Sequence, residues 1–286
     1  MSTIAFATCR EKPELQPSDR LTATALAARG VDVRAVPWNG PISAYEGADA
    51  IVVRSTWDYL GQERAFLAWL NALEGRDRVF NPPRLMRWNL SKRYLARLAW
   101  AGAPVLPTRF TAPHGPDIAA AMDELGLDDA VVKPVFGLGG VGLSVVARDD
   151  AAGLNAAAAK LNASGMVQPV RREIAEIGET SIIFFGGEYS HAVNKKPAAG
   201  GLLVQEKHGG VTTRVEPEGA IIEAAKSILD LLPIAPLYAR IDAIVDGLSF
   251  ELMEAELIEP ELFLHVAPEA AETFADAILA ATLTGR

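Results

Sequence analysis

At 286 residues, 50% hydrophobic and 22% charged, the chain has ordinary globular composition and enough length for one large or two to three small α/β domains. A net charge of -9 speaks against general nucleic-acid binding, which needs a Lys- and Arg-rich face, yet permits a nucleotide held by a few local donors and a metal. The single cysteine, Cys9, excludes an intrachain disulfide framework and reads as a small buried residue in a reducing compartment.

The first residues, Met1 to Thr8, lack a basic leader and read as a buried strand from Ile4 to Thr8. No run approaches the roughly 18 apolar residues that cross a bilayer, so a cytoplasmic protein with no membrane partner is expected. A helix over Asp19 to Arg29 ends at Gly30, and Val31 to Val36 alternates as a strand. Ala50 to Val53 is a second buried strand, and Glu63 to Leu73 carries apolar residues at helical spacing. This β-α-β-α rhythm predicts an open α/β domain over residues 1–85, with Asn81-Pro82-Pro83 marking its edge.

A connecting helix is predicted from Asn89 to Trp100 within residues 86–103, stopped by Gly102 and Pro104. Val105 to Phe110 looks extended and Pro116 to Leu125 helical. Ala130 to Pro134 and Leu143 to Val146 read as strands flanking a glycine-rich turn, and Ala151 to Leu161 as a helix. Residues 104–167 therefore read as a small α+β lid. Residues 168–286 read as an antiparallel-sheet core, with a hairpin signal at Ser181 to Glu188, a helix over Glu218 to Leu231 and a closing helix over Glu269 to Leu283. Within it, Tyr238 to Val245 pairs with Phe250 to Leu257 across Asp246-Gly247.

That final hairpin carries the clearest chemical signal. Asp242, Glu254 and Glu256 are carboxylates in otherwise apolar strands, and residues two apart share one strand face. Converging acids repel unless cations hold them, and Mg²⁺ suits hard oxygen ligands while leaving positions for phosphate oxygens. The plainer alternative is a solvent-facing acidic strand. Arg240, on the same alternating face as Asp242, weakens it.

Lys133-Pro134 precedes Gly137, Gly139, Gly140 and Gly142, a turn whose backbone N–H groups and lysine suit phosphates. It is neither a Walker loop nor a dinucleotide fingerprint, since no Gly-Lys-Ser/Thr follows and the turn joins two strands. A plain hairpin explains it equally well. Lys92, Lys195 and Lys196 each read alone as solvated lysines, and Arg214 is uninformative.

In order along the chain, however, Lys92, Lys133 with its glycine turn, Gln168-Pro169, Lys195, Arg240-Ile241-Asp242 and Glu254-Ala255-Glu256 resemble the ATP-grasp superfamily. The resemblance implies two subdomains clamping ATP, with Lys92 and Lys133 on its phosphates and the glycine turn closing over them. It implies that the backbone of Gln168-Pro169-Val170 reads the adenine edge and that Glu173 or Glu176 holds the ribose. It also implies Lys195 and Arg240 on the transferring phosphoryl group, and Asp242, Glu254 and Glu256 as the Mg²⁺ ligands. The commoner pattern ends Glu-x-Asn. Here Glu256 replaces the asparagine and Glu259 follows, either as a further ligand or as an orienting group. A homodimer is a further expectation from the family.

Arg54 to Tyr59, Ser190 to Val193 and Glu256 to Pro260 further resemble the branch that includes the D-cycloserine-forming O-ureidoserine cyclo-ligase. This implies a ligase that activates a small amino-acid-like carboxylate as an acyl phosphate and forms an amide, within one molecule or between two. Because Arg54 and Asp58 follow a strand at its carboxyl end, they are placed at the substrate mouth, for a carboxylate and an ammonium. An Arg54–Asp58 ion pair anchoring a buried Trp57 is the equal alternative. His191 is assigned to the substrate as a proton acceptor, although a structural histidine explains it more readily.

Overall fold

Residues of β1 (Ser2–Thr8) alternate between two cores: Ile4 and Phe6 point to one, Ala5 and Ala7 to the other. A strand buried on both faces must be central, and it is. With α1 (Pro17–Ala28), β2 (Val31–Pro37), β3 (Ala50–Val53), α2 (Glu63–Ala72) and β4 (Val79–Phe80) it forms a parallel sheet in the order β2-β1-β3-β4. The computed structural model describes residues 2–198, 204 and 209–284. No helix among them is long and apolar enough to cross a membrane.

The helix expected to open at Asn89 begins only at α4 (Tyr94–Trp100), and a further helix, α3 (Pro83–Asn89), ends where it was expected to start. Between the two helices the amide of Lys92 donates to the carbonyl of Val135, from the following domain, at 2.9 Å rather than to the preceding turn. Lys92 therefore sits on a bend facing the lid.

The lid is a sheet ordered β5-β8-β6-β7, built from β5 (Arg109–Thr111), β6 (Asp129–Pro134), β7 (Ser144–Ala147) and β8 (Gly165–Pro169). Its helices α5 (Gly115–Leu125) and α6 (Ala151–Ala158) cover one face through Ala130, Val132 and Val167. Alternation then turns Val131 and Lys133 to the opposite face. Strand β8 carries this sheet through Pro169, past residue 167.

After the short α7 (Ile174–Ile177), the core sheet runs β11-β10-β9-β12-β13. Its strands are β9 (Glu179–Phe185), β10 (Glu188–Lys196), β11 (Val211–Val215), β12 (Tyr238–Asp246) and β13 (Ser249–Glu256). One face, carrying Ile182, Phe184, Ala239 and Ile241, packs under α8 (Gly219–Asp230) and α4. The other, with Ile183, Phe185 and Tyr238, packs on the parallel sheet together with α9 (Ala270–Thr284). Continuing two residues at a time from Tyr238 along β12, Arg240 and Asp242 follow on that inward face.

Candidate active site

The turn at Asp246-Gly247 alone would set Asp242 against Met253, but a bulge between Asp242 and Ala243 shifts the pairing of β12 with β13 by one residue and places Asp242 opposite Glu254 and Arg240 opposite Glu256. Lys195, in β10, and Glu179, in β9, pair directly across the neighbouring ladder. Every one of these side chains meets an opposite charge. Arg240 donates to both oxygens of Asp242 at 2.9 to 3.2 Å and also contacts Glu256. Lys195 donates to Glu179 and lies 3.5 Å from Asp242, which also accepts from Ser181. Glu179 is a member of this cluster that its local pattern does not mark, because a charge on the first residue of a strand ordinarily faces solvent.

Glu254 is the point where the parts of the chain meet. Lys133, from the lid, donates to its Oε1 at 2.6 Å, and Lys92, from the bend, lies 3.1 Å from its Oε2. Burial opposes ionisation there, yet the two lysines prevail and hold the carboxyl well below the usual carboxylate range. Lys92 also donates to Gly137 O at 3.2 Å, tying the glycine turn to the same place. Within that turn Gly139, Gly140 and Gly142 have φ of 55, 78 and 79°. A Cβ on Gly142 would stand 2.7 Å from Pro134 Cγ, so this position needs glycine. Phe136 and Leu138 of the turn pack against the N-terminal core.

A cavity of about 50 Å³ lies between these parts, lined by Tyr59, Lys92, Gly137, Gly139, Glu254, Glu256 and Glu259 among others. A larger hollow of about 390 Å³, by Arg171, Glu173 and Glu251, lies outside the charged cluster. There Arg171 makes a two-pronged pair with Glu251 at 2.6 and 2.9 Å, tying the segment after β8 to β13. Gln168 is buried, beside Val131, and its amide donates to Thr108 Oγ1 at 2.9 Å. Val170 follows β8, and Glu176 is exposed on α7.

Arg54, Asp58 and His191 do not line the cavity. Arg54 is 1% exposed and pairs with Asp19 at 2.7 Å, not with Asp58. Asp58 accepts from Trp38 Nε1 at 2.5 Å and Asn39 Nδ2 at 2.8 Å. His191 donates from Nε2 to Leu262 O at 2.8 Å, which leaves Nδ1 to accept from Ser190 Oγ at 2.9 Å. Burial lowers its pKa, keeping the ring neutral at pH 7.

Arg54 and His191 serve instead the segment between β13 and α9, where side chains reach every carbonyl from Leu257 to Leu262. Asn81 donates to Leu257 O at 2.7 Å, Trp57 to Glu259 O at 2.9 Å and Arg54 to Pro260 O at 3.0 Å. Arg240 donates to Glu261 O at 3.1 Å and His191 to Leu262 O. Tyr238 Oη lies 2.8 Å from Ile258 O and 2.6 Å from Val53 O, which share its one proton. A buried irregular segment must satisfy its carbonyls somehow, and donors from all over the fold do so here. The result is a strap that presents Glu259 to the cavity. Burial first, and then the charge of Glu256, push the Glu259 carboxyl up to about 8.

Residues 4–81 match the family model described as D-cycloserine synthetase DcsG, N-terminal domain. Over 269 residues the chain is 32% identical to the cycloserine biosynthesis protein DcsG of Streptomyces lavendulae, covering 87% of this chain and 88% of that one. It superposes on the crystal structure of D-cycloserine synthetase DcsG with a TM-score of 0.83 and 25% identity, each chain covered in full. A D-alanine--D-alanine ligase from Bacillus anthracis superposes with a TM-score of 0.72 over 99% of this chain and 98% of that one, at 14% identity a likeness of fold alone. The chain belongs to the DcsG branch of the ATP-grasp ligases and is an ATP-dependent enzyme that forms carbon–nitrogen bonds.

Proposed function

We propose that this enzyme uses Mg-ATP to activate a small amino-acid-like carboxylate as an acyl phosphate, then closes it onto a nitrogen of the same molecule, as in the conversion of O-ureido-D-serine to D-cycloserine. The observation that carries this reading is the convergence of Lys133 and Lys92 on Glu254 beneath the glycine turn. Two ammonium groups brought to one point by separate parts of the fold suit the phosphates of a nucleotide. The similarity to DcsG supports the substrate class.

Among the described residues, no group of three His, Cys, Asp or Glu side chains stands ready to hold a metal ion. Each of the three expected ligands is occupied by cations of the chain. Mg²⁺ needs no preformed triad, because it commonly takes one or two carboxylates and completes its shell with water and phosphate oxygens. Glu254 and Glu256, which line the cavity, fit that demand, with Asp242 behind them. When bound, the ion would neutralise charge on the transferring phosphoryl group.

The chain's own part is positioning and charge. Lys92 and Lys133 would turn from Glu254 to the phosphates, while Lys195 and Arg240 balance the charge that develops on the acyl phosphate. Pockets that bury a drug-sized ligand enclose roughly 300–1,000 Å³, so the lid must open for a nucleotide to enter a cavity of about 50 Å³. Reclosure of the glycine turn would then keep water from the acyl phosphate.

The test is substrate-dependent ADP release with Mg-ATP across amino acids, dipeptides and O-ureido-D-serine, with products identified by mass spectrometry. Glu254→Gln and Lys133→Ala serve as inactive controls. A cyclic product from one substrate molecule supports the reading. A product joining two molecules would make the enzyme an intermolecular ligase, and failure to bind Mg-ATP would refute the nucleotide site.

A further inference from the structure

The strap carries a carboxylate that the proposed reaction has not used. Glu259 is 7% exposed and lines the cavity beside Glu256, Lys92 and the glycine turn. Glu254 is paired with two lysines and Glu256 with Arg240. Glu259 has no ion pair among the described residues, and Tyr59 Oη is its side-chain hydrogen-bond donor there, at 2.8 Å from Oε1. A buried carboxyl without a counter-charge is costly, so a fold that holds one in place at a reaction cavity invites a chemical explanation.

The holding is thorough. The carbonyl of Glu259 is fixed by Trp57, and that of Pro260 by Arg54. Tyr59 stacks on Phe66 at 4.2 Å between ring centres and meets Phe136, at the entrance to the glycine turn, edge-on at 5.9 Å. The pair therefore lies where the lid meets the N-terminal domain, in the lining of the same cavity as Lys92.

We propose that Glu259 binds the attacking nitrogen of the substrate and takes its proton, with Tyr59 as the positioning residue. The inference rests on the function proposed above. In the step, the nitrogen lone pair forms the new bond to the acyl carbon. The carbon–oxygen bond to phosphate breaks, and phosphate leaves with that electron pair. The proton shed by nitrogen passes to the Glu259 carboxylate. Glu254 and Glu256 are unsuited to this task, because their negative charge is engaged on the phosphate side.

Glu259→Gln keeps the shape and the acceptor for Tyr59 but cannot take the proton. Wild type and variant are each given Mg-ATP and O-ureido-D-serine, with and without hydroxylamine, which intercepts the acyl phosphate as a hydroxamate without needing the enzyme's base. Product formation by the variant is expected to fall about 100-fold or more, while hydroxamate formation stays within about threefold of wild type. Tyr59→Phe is expected to show the same split with a smaller loss, about tenfold. Equal loss of both products in Glu259→Gln would place the residue at the phosphorylation step or in the metal shell and overturn the inference. So would an unchanged rate of product formation. If wild type forms neither product nor hydroxamate, the proposed function fails and the inference falls with it; that arm is read on its own.

Discussion

Tyr59 and Glu259, 200 positions apart in the chain, are joined by a 2.8 Å hydrogen bond from the phenol to the carboxyl. The bond connects the segment after β3 of the parallel sheet to the strap that follows the metal-ligand candidates on β13. It also raises the Tyr59 pKa: burial acts first, and the charge of Glu259 adds to it.

This pair gives the protein a pH-dependent stability whose sign is fixed. The carboxyl of Glu259 titrates at about 8 in the folded chain, against an ordinary value of 4.5. The folded state thus binds the proton more tightly than the unfolded state. Its contribution is fully present below the ordinary value and is lost as pH rises through about 8, at a limiting slope of ~1.4 kcal/mol per pH unit. Glu259→Gln lacks that slope. In urea unfolding without metal or nucleotide, the variant should match wild type near pH 5 and exceed it near pH 9. Parallel stability curves would show that Glu259 does not carry the shift.

Arg54 is the most deeply buried charge of the strap's supports. Removing it as Arg54→Met strands Asp19, which is 2% exposed, and frees the carbonyl of Pro260. A loss of about 3–5 kcal/mol is expected in denaturant unfolding. Adding Asp19→Asn should recover part of it, because the stranded charge is then gone.

His191→Phe tests whether this residue acts on the strap or on the substrate. Loss of its bond to Leu262 O should cost about 1–3 kcal/mol of stability and leave the turnover of the folded fraction nearly unchanged. An undiminished melting temperature combined with a tenfold or greater drop in turnover would put His191 at the substrate after all.

Glu254→Gln should act in opposite directions on metal and nucleotide. The Mg²⁺ concentration for half-maximal ADP release should rise and turnover fall about 10²–10³-fold. Binding of ATP without Mg²⁺ should hold or tighten, since Lys92 and Lys133 are released from a full negative charge. Fluorescence binding with and without Mg²⁺ separates the two effects. Equal weakening of both would mean that Glu254 only supports the lysines.

Local pattern alone determined much of this protein. The buried runs Ile4 to Thr8 and Ala50 to Val53, the turn at Asp246-Gly247 and the glycine turn before β7 are read within a few residues, because strand alternation and positive-φ turns are short-range properties. The pairing of β12 with β13 followed from that turn, but the bulge between Asp242 and Ala243 did not, and it is the bulge that sets Asp242 against Glu254 rather than Met253. Lys92 already shows where this reading stops. Its residue types suit a helix opening at Asn89, but its amide donates to the carbonyl of Val135, arriving from the lid, and the helix starts only at Tyr94. Arg54, Trp57, Tyr59 and His191 show it more fully. The sequence placed Arg54 and His191 at the substrate, but the partners of these four lie 71 to 206 positions away, on a strap whose own sequence has no regular period. A buried carbonyl accepts whichever donor the packed fold brings to it, so tertiary structure alone decided that these side chains hold the strap and that the strap holds Glu259.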